Sequence, residues 1–155
     1  MSVLKRTQLY GIHVAAGAAM VDFGGWEMPI EYPSKIVAEH LYTRHACSLF
    51  DVSHMGRVLV DGPEAVSFLQ HVLSSNVSAL DLNQAQYAII PNERGGAVDD
   101  AYLYRFEEER FLLVVNAANT DKDLAHLNEQ IKAYDAKMTV ITGDWAAIAV
   151  QGPRA

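Results

Sequence analysis

Between Gln86 and Val115 the hydrophobic pattern alternates, and this constrains the fold more than any other feature of the sequence. Tyr87–Ile90 reads as a strand, Asn92-Glu93-Arg94-Gly95-Gly96 as a tight turn, and Asp100–Phe106 and Phe111–Val115 as two further strands. The charged run Glu107–Arg110 suits a hairpin tip between the last two. Turns this tight join antiparallel neighbours, so the centre of the chain must be an antiparallel sheet.

Helical periodicity flanks that centre. Ser34 is placed to cap a helix carrying Val37, Leu41, Arg44 and Cys47 near one face. Arg57–Val60 reads as a strand, and Pro63 opens a helix with Val66, Phe68, Leu69, Val72 and Leu73. A helix beginning at Asn119 or Thr120 carries Leu124, Leu127, Ile131 and Tyr134 on one side. Two final strands, Met138–Thr142 and Trp145–Gln151, are joined by Gly143-Asp144. No βαβ rhythm runs through these elements. The expected fold is therefore α+β, a largely antiparallel sheet with packed helices. Residues 1–33 are punctuated by Gly11, Gly17, Gly24-Gly25 and Pro29 yet rich in apolar side chains, so they are expected to form a packed loop segment ahead of an α+β body at 34–155.

Composition narrows the function. Of 155 residues half are hydrophobic and a fifth charged, enough to bury a core. Nineteen acidic against twelve basic residues, a net charge of −7, argue against nucleic acid as a partner. Apolar runs such as Phe111–Val115 are far shorter than the ~20 residues of a membrane span. The single Cys47 makes neither an intramolecular disulfide nor a thiolate zinc site. His40 and His45 lack the i, i+4 spacing of paired ligands and the other histidines are scattered, so no metal site is expected. Gly24-Gly25 lacks the dinucleotide-binding pattern.

Three clusters carry chemistry. Asp99-Asp100 follows a Gly-Gly turn and opens a strand; its carboxylates point to opposite faces, so only one can enter a given pocket. Such a carboxylate can accept from an N–H group and stabilise positive charge on nitrogen, or can simply be a solvated turn residue. Asp51-Val52-Ser53-His54-Met55-Gly56 is a poor hydrolase triad because neighbouring side chains diverge, and hydrogen bonds that stabilise the loop are the better reading. Its Met55 end suits the wall of a flat ligand. Tyr87 and Tyr104 sit on strands, and Asn116 ends one, placed either to meet a heterocycle edge or to cap the following helix.

Five ordered motifs resemble the opening of the aminomethyltransferases, the T-proteins of the glycine cleavage system. They are Met20–Pro29, Leu49–Gly56, Asn92–Asp100, Leu113–Asn119 followed by Lys122-Asp123, and Val150–Pro153. The resemblance implies the N-terminal part of a three-domain folate-binding fold, with the C-terminal domains absent from these 155 residues. It implies a tetrahydrofolate-dependent enzyme that moves the one-carbon unit from the aminomethyl-dihydrolipoyl arm of H-protein to tetrahydrofolate and releases ammonia. Asp100 corresponds to the catalytic aspartate, and Met55, Tyr87, Tyr104 and Asn116 match positions lining the folate pocket. A bacterial cytoplasmic setting follows from the resemblance and the lack of a transit segment, and an isolated chain of this length is expected to be inactive. A folate-dependent demethylase, or a non-catalytic folate-binding module, is the alternative. The sequence departs from the family at Ser48 and Asn83, where glycine is usual, and at Ala101-Tyr102-Leu103, where the strand is usually more aliphatic.

Overall fold

The computed structural model describes residues 3–155, which form two compact units. The larger one, Met55–Ile141, contains a five-stranded sheet in the order β5-β6-β7-β4-β8, every pairing antiparallel. Its strands are β4 (Gly56–Asp61), β5 (Ala85–Pro91), β6 (Ala97–Glu107), β7 (Arg110–Val115) and β8 (Lys137–Val140), with helices α3 (Ala65–Val72) and α4 (Thr120–Gln130). The expected antiparallel centre is present. In the β5–β6 turn Asn92 Oδ1 accepts from the backbone N–H groups of Arg94 and Gly96 at 2.9 and 3.0 Å, which closes the loop.

One face of this sheet is the core. Val58, Val60, Ala88, Ile90, Ala101, Leu103, Phe111, Leu113 and Val115 alternate inward and pack with Phe68, Leu69 and Val72 of α3 and Leu127 of α4. Burial of each large side chain is worth roughly 1.5–3 kcal/mol against exposure, so this layer holds the unit together. Alternation sends Tyr87, Tyr102 and Tyr104 to the other face, where all three are exposed. Asn83 takes φ 62°, the left-handed conformation for which glycine is favoured and which asparagine tolerates better than other side chains.

The second unit contains the described residues up to His54 together with Thr142–Ala155. Here the sequence expectation needs correcting. The described part of the segment 1–33 is not irregular: it carries α1 (Tyr10–Ala15) and an antiparallel hairpin of β1 (Ala19–Phe23) and β2 (Trp26–Glu31). Gly24 and Gly25, read as a break, are the hairpin's turn, at φ 60° and 85°. The final strands do not pair with each other either. β8 pairs with β4, whereas β9 (Ile148–Gln151) pairs with β3 (Ser48–Asp51). Ser34 does not cap α2 (Ile36–His45); its hydroxyl donates to Glu39 Oε1 at 3.1 Å. The expected apolar face of α2 is exposed at Val37 and Leu41, and Cys47 lies beyond its end.

Asp51 organises this unit. Its Oδ2 accepts from Thr7 Oγ1 at 2.7 Å and meets His13 Nε2 at 2.9 Å, and its Oδ1 accepts from the Ser53 N–H at 2.9 Å. The Ser53 hydroxyl is engaged with the Ala147 backbone, accepting its N–H at 2.9 Å. The Asp51–Gly56 motif thus contributes loop-holding hydrogen bonds through Asp51 and Ser53. No helix among the described residues is long and apolar enough to cross a membrane.

Candidate functional site

Strand register puts Asp100, Asn116 and Met55 at one end of the five-stranded sheet and strings the tyrosines along the same face behind them. Val115 pairs with Ala101 on one side and Gly56 on the other. In the next row toward that end, Asp100 before Ala101, Asn116 after Val115 and Met55 before Gly56 therefore fall together, with Ile89 opposite Asp100. The next row on that face holds Tyr87 opposite Tyr102, and the one after it Tyr104 opposite Ala85. Asp100 and Tyr104 are four residues apart on one strand, about 13 Å of travel at strand rise. Between them lies Tyr102, whose ring is 5.2 Å from that of Tyr104.

Three of the five expected residues make direct contact. Asn116 Nδ2 donates to Asp100 Oδ1 at 2.9 Å, and the Tyr87 hydroxyl hydrogen-bonds Asp100. The Asp100 hydrogen bond is also the main reason the Tyr87 phenol is held above its ordinary pKa, since it favours the protonated form. Met55 and Tyr104 are placed by register alone, and both rows belong to the same face.

Alternation puts Asp99 and Asp100 on opposite faces, yet one amide reaches both. Asn116 Nδ2 also donates to Asp99 Oδ1, at 3.0 Å. Because Asn116 follows the last residue of β7, its side chain lies past the end of the pleat and is not confined to either face. On the inner side the carboxyl groups of Asp99 and of Asp123 on α4 face each other. Burial pushes the Asp123 carboxyl up to about 7, with Asp99 adding to the rise. For Asp99 burial acts in the same direction but is outweighed by the Asp100 backbone N–H, the Asn116 and Asn119 side chains and Asp123, which bring it down to about 2.

Asp123 and Tyr102 were not among the candidates read from the sequence. Tyr102 was noticed only as a departure from the family pattern. Asp123 was legible in principle, because it stands four residues before Leu127 on the apolar stripe of α4, where a carboxylate is out of place. Among the described residues no three His, Cys, Asp or Glu side chains group to hold a metal ion.

Residues 9–155 match the family described as the GCVT N-terminal domain. Aminomethyltransferases are among the similar curated proteins. That of Thermus thermophilus is 50% identical over 98% of this chain, and that of Deinococcus deserti 49% identical over 99%. In each case the chain spans 43% of the relative's length. The crystal structure of the glycine cleavage system aminomethyltransferase T from Bartonella henselae superposes with a TM-score of 0.93 at 40% identity, covering 97% of this chain and 41% of that one. Sequence and fold agree: the chain belongs to the GCVT N-terminal domain family and corresponds to the N-terminal portion of an aminomethyltransferase.

Proposed function

We propose that this chain supplies the acceptor-side half of an aminomethyl-transfer site. There tetrahydrofolate receives a one-carbon unit from the aminomethyl-dihydrolipoyl arm of a glycine cleavage H-protein, with release of ammonia. Asp100 carries this reading, as a half-buried carboxylate at a sheet end with a tyrosine and an asparagine bonded to it. Asn116 and Tyr87 both donate, which fixes the carboxylate's orientation while leaving acceptor capacity for a ligand N–H.

The residues fit a reduced pterin with an aromatic tail. Asp100 can accept from a ring N–H, Met55 and the tyrosines offer apolar surface for flat rings, and the 13 Å or so from Asp100 to Tyr104 matches an extended ligand. Tetrahydrofolate would supply the nucleophilic nitrogens. As the carbon is transferred, one N–H proton goes to the thiol that is released and one to the departing ammonia. Asp100 positions the attacking nitrogen, and its negative charge stabilises the positive charge that develops there. The exposed tyrosine face leaves water free access, which supports the expectation that 155 residues alone do not turn over. A bacterial cytoplasmic setting belongs to the same reading, supported by the bacterial relatives.

The test is Asp100→Asn in a chain of the relatives' length that carries this sequence. Calorimetry should show tetrahydrofolate still bound, while release of ammonia from aminomethylated H-protein falls about a hundredfold or more. Unchanged turnover would remove Asp100 from the role given to it.

A further inference from the structure

Behind Asp100 the polar contacts continue one layer deeper than the transfer chemistry requires. The two hydrogens of Asn116 Nδ2 are both engaged, one with Asp99 Oδ1 at 3.0 Å and one with Asp100 Oδ1 at 2.9 Å. Turned over, the amide would set its carbonyl oxygen against both acids, so the pair of carboxylates fixes its orientation. Asp99 Oδ1 also accepts the Asp100 backbone N–H at 2.9 Å.

The remaining oxygens lack donors. Asp99 Oδ2 and both oxygens of Asp123 are buried without a hydrogen-bond partner, and Asp123 as a whole is fully buried. The cation beside them is Lys122, whose ammonium stands 3.7 Å from Asp123 Oδ1 but donates at 2.6 Å to the Val98 carbonyl. Two ionised carboxylates cannot satisfy each other, because each only accepts. A single proton between them turns the contact into a hydrogen bond and removes one buried charge.

We propose that Asp99 and Asp123 share one proton, and that Asp123 is a positioning residue whose O–H holds Asp99 in place as the anion that orients Asn116 toward Asp100. The consequence for catalysis rests on the reading of Asp100 as the reacting carboxylate, whereas the shared proton does not. The groups that act on Asp123 are Asp99 from β6 and Lys122 from α4. Asp99 in turn is held by Asn116, Asn119 and the Asp100 N–H. With Asp123 protonated the layer is satisfied. When that proton leaves, Asp99 faces a buried like charge and the Asn116 amide loses its fixed anchor.

The decisive measurement is a nuclear magnetic resonance titration of the 155-residue chain, following the aspartate carboxyl carbons and the Asn116 side-chain amide. Expected is one carboxyl, Asp123, titrating near neutrality, with the Asn116 amide resonances moving at the same midpoint. Asp123→Asn, which keeps a donor toward Asp99, should abolish that midpoint and hold the amide at its low-pH position. An Asp123 that titrates in the ordinary carboxylate range, or an Asn116 amide indifferent to it, overturns the proposal.

In a protein of the relatives' length, Asp123→Ala should lower kcat for ammonia release about tenfold to a hundredfold with little change in the KM for tetrahydrofolate. Asp123→Asn should restore most of the loss and flatten the neutral limb of the pH profile. Coupled titration together with an absence of transfer activity in the protein of the relatives' length supports the shared proton while refuting the functional reading. Transfer activity in a chain where Asp123 behaves as an ordinary carboxylate refutes the shared proton alone.

Discussion

Replacing Asp123 by asparagine should change the pH dependence of stability by an amount the structure sets. In the folded chain the Asp123 carboxyl holds its proton up to about 7, against 3.8 for an unperturbed aspartate. Between those values the folded state binds a proton that the unfolded chain has lost, so stability falls as pH rises. The contribution is complete below the unfolded value and gone above the folded one. At about 1.36 kcal/mol per unit, raising the pH from about 5 to about 8 removes roughly 2.5 kcal/mol. Asp99, brought down to about 2, stays ionised across that window and adds no slope. Asparagine has no proton to lose. Calorimetric melts of both proteins at the two pH values should therefore show the variant gaining about 5–10 °C on wild type at the higher pH. All other titrating groups cancel in the comparison. A difference in Tm that stays flat from pH 5 to 8 would mean that Asp123 is already ionised at pH 5, and the reasoning would be wrong.

Gly56→Ala should destabilise by about 1–3 kcal/mol in urea melts. A Cβ there would sit 2.6 Å from Val115 Cγ2 and 2.6 Å from Thr120 Oγ1, both on β-branched side chains with little freedom to move. Asp51→Asn should cost about 1–3 kcal/mol near neutral pH by weakening the bonds to Thr7 and His13. Although burial raises the Asp51 pKa, its bonds to Ser53, His13 and Thr7 lower it on balance. Its stabilisation is therefore present above the usual carboxylate range and lost as pH falls below it, so the two melting curves should converge in acid. Phe111→Ala, which empties a fully buried site, should cost about 3–5 kcal/mol, whereas Ile36→Ala on the exposed α2 face should stay within about 0.5 kcal/mol.

The centre of the larger unit was legible in the sequence because two of the four pairings in its sheet are local. The turns at Asn92–Gly96 and Glu107–Arg110 join strands adjacent in the chain, so period and turn chemistry sufficed. The smaller unit was not, for two physical reasons. Its glycines read as breaks, although Gly24-Gly25 supplies the positive φ that a two-residue hairpin turn requires. Its β3 pairs with β9 across most of the chain, and Leu49, Phe50, Ile148 and Val150 on these strands are exposed. Such a pair has neither a turn nor a buried alternation to announce it. Nor does the Gly143-Asp144 connection announce that the strands on either side of it, β8 and β9, belong to different sheets.

At the site, what lies along one strand is legible in the sequence and what lies across two elements is not. Asp100, Tyr87 and Tyr104 follow from alternation on β5 and β6, once the motif resemblance selects Asp100 over its neighbour. Alternation on β6 aims Asp99 at the core, where a lone carboxylate is costly. The structure keeps it there by giving it Asn116 from beyond the end of β7 and Asp123 from the first turn of α4. Neither partner is close to it in the chain. An acidic pair at a sheet end and an acid on a helix's apolar stripe are each an anomaly when read singly. Together they account for each other, because a core-facing carboxylate and a buried carboxylic acid need only one proton between them.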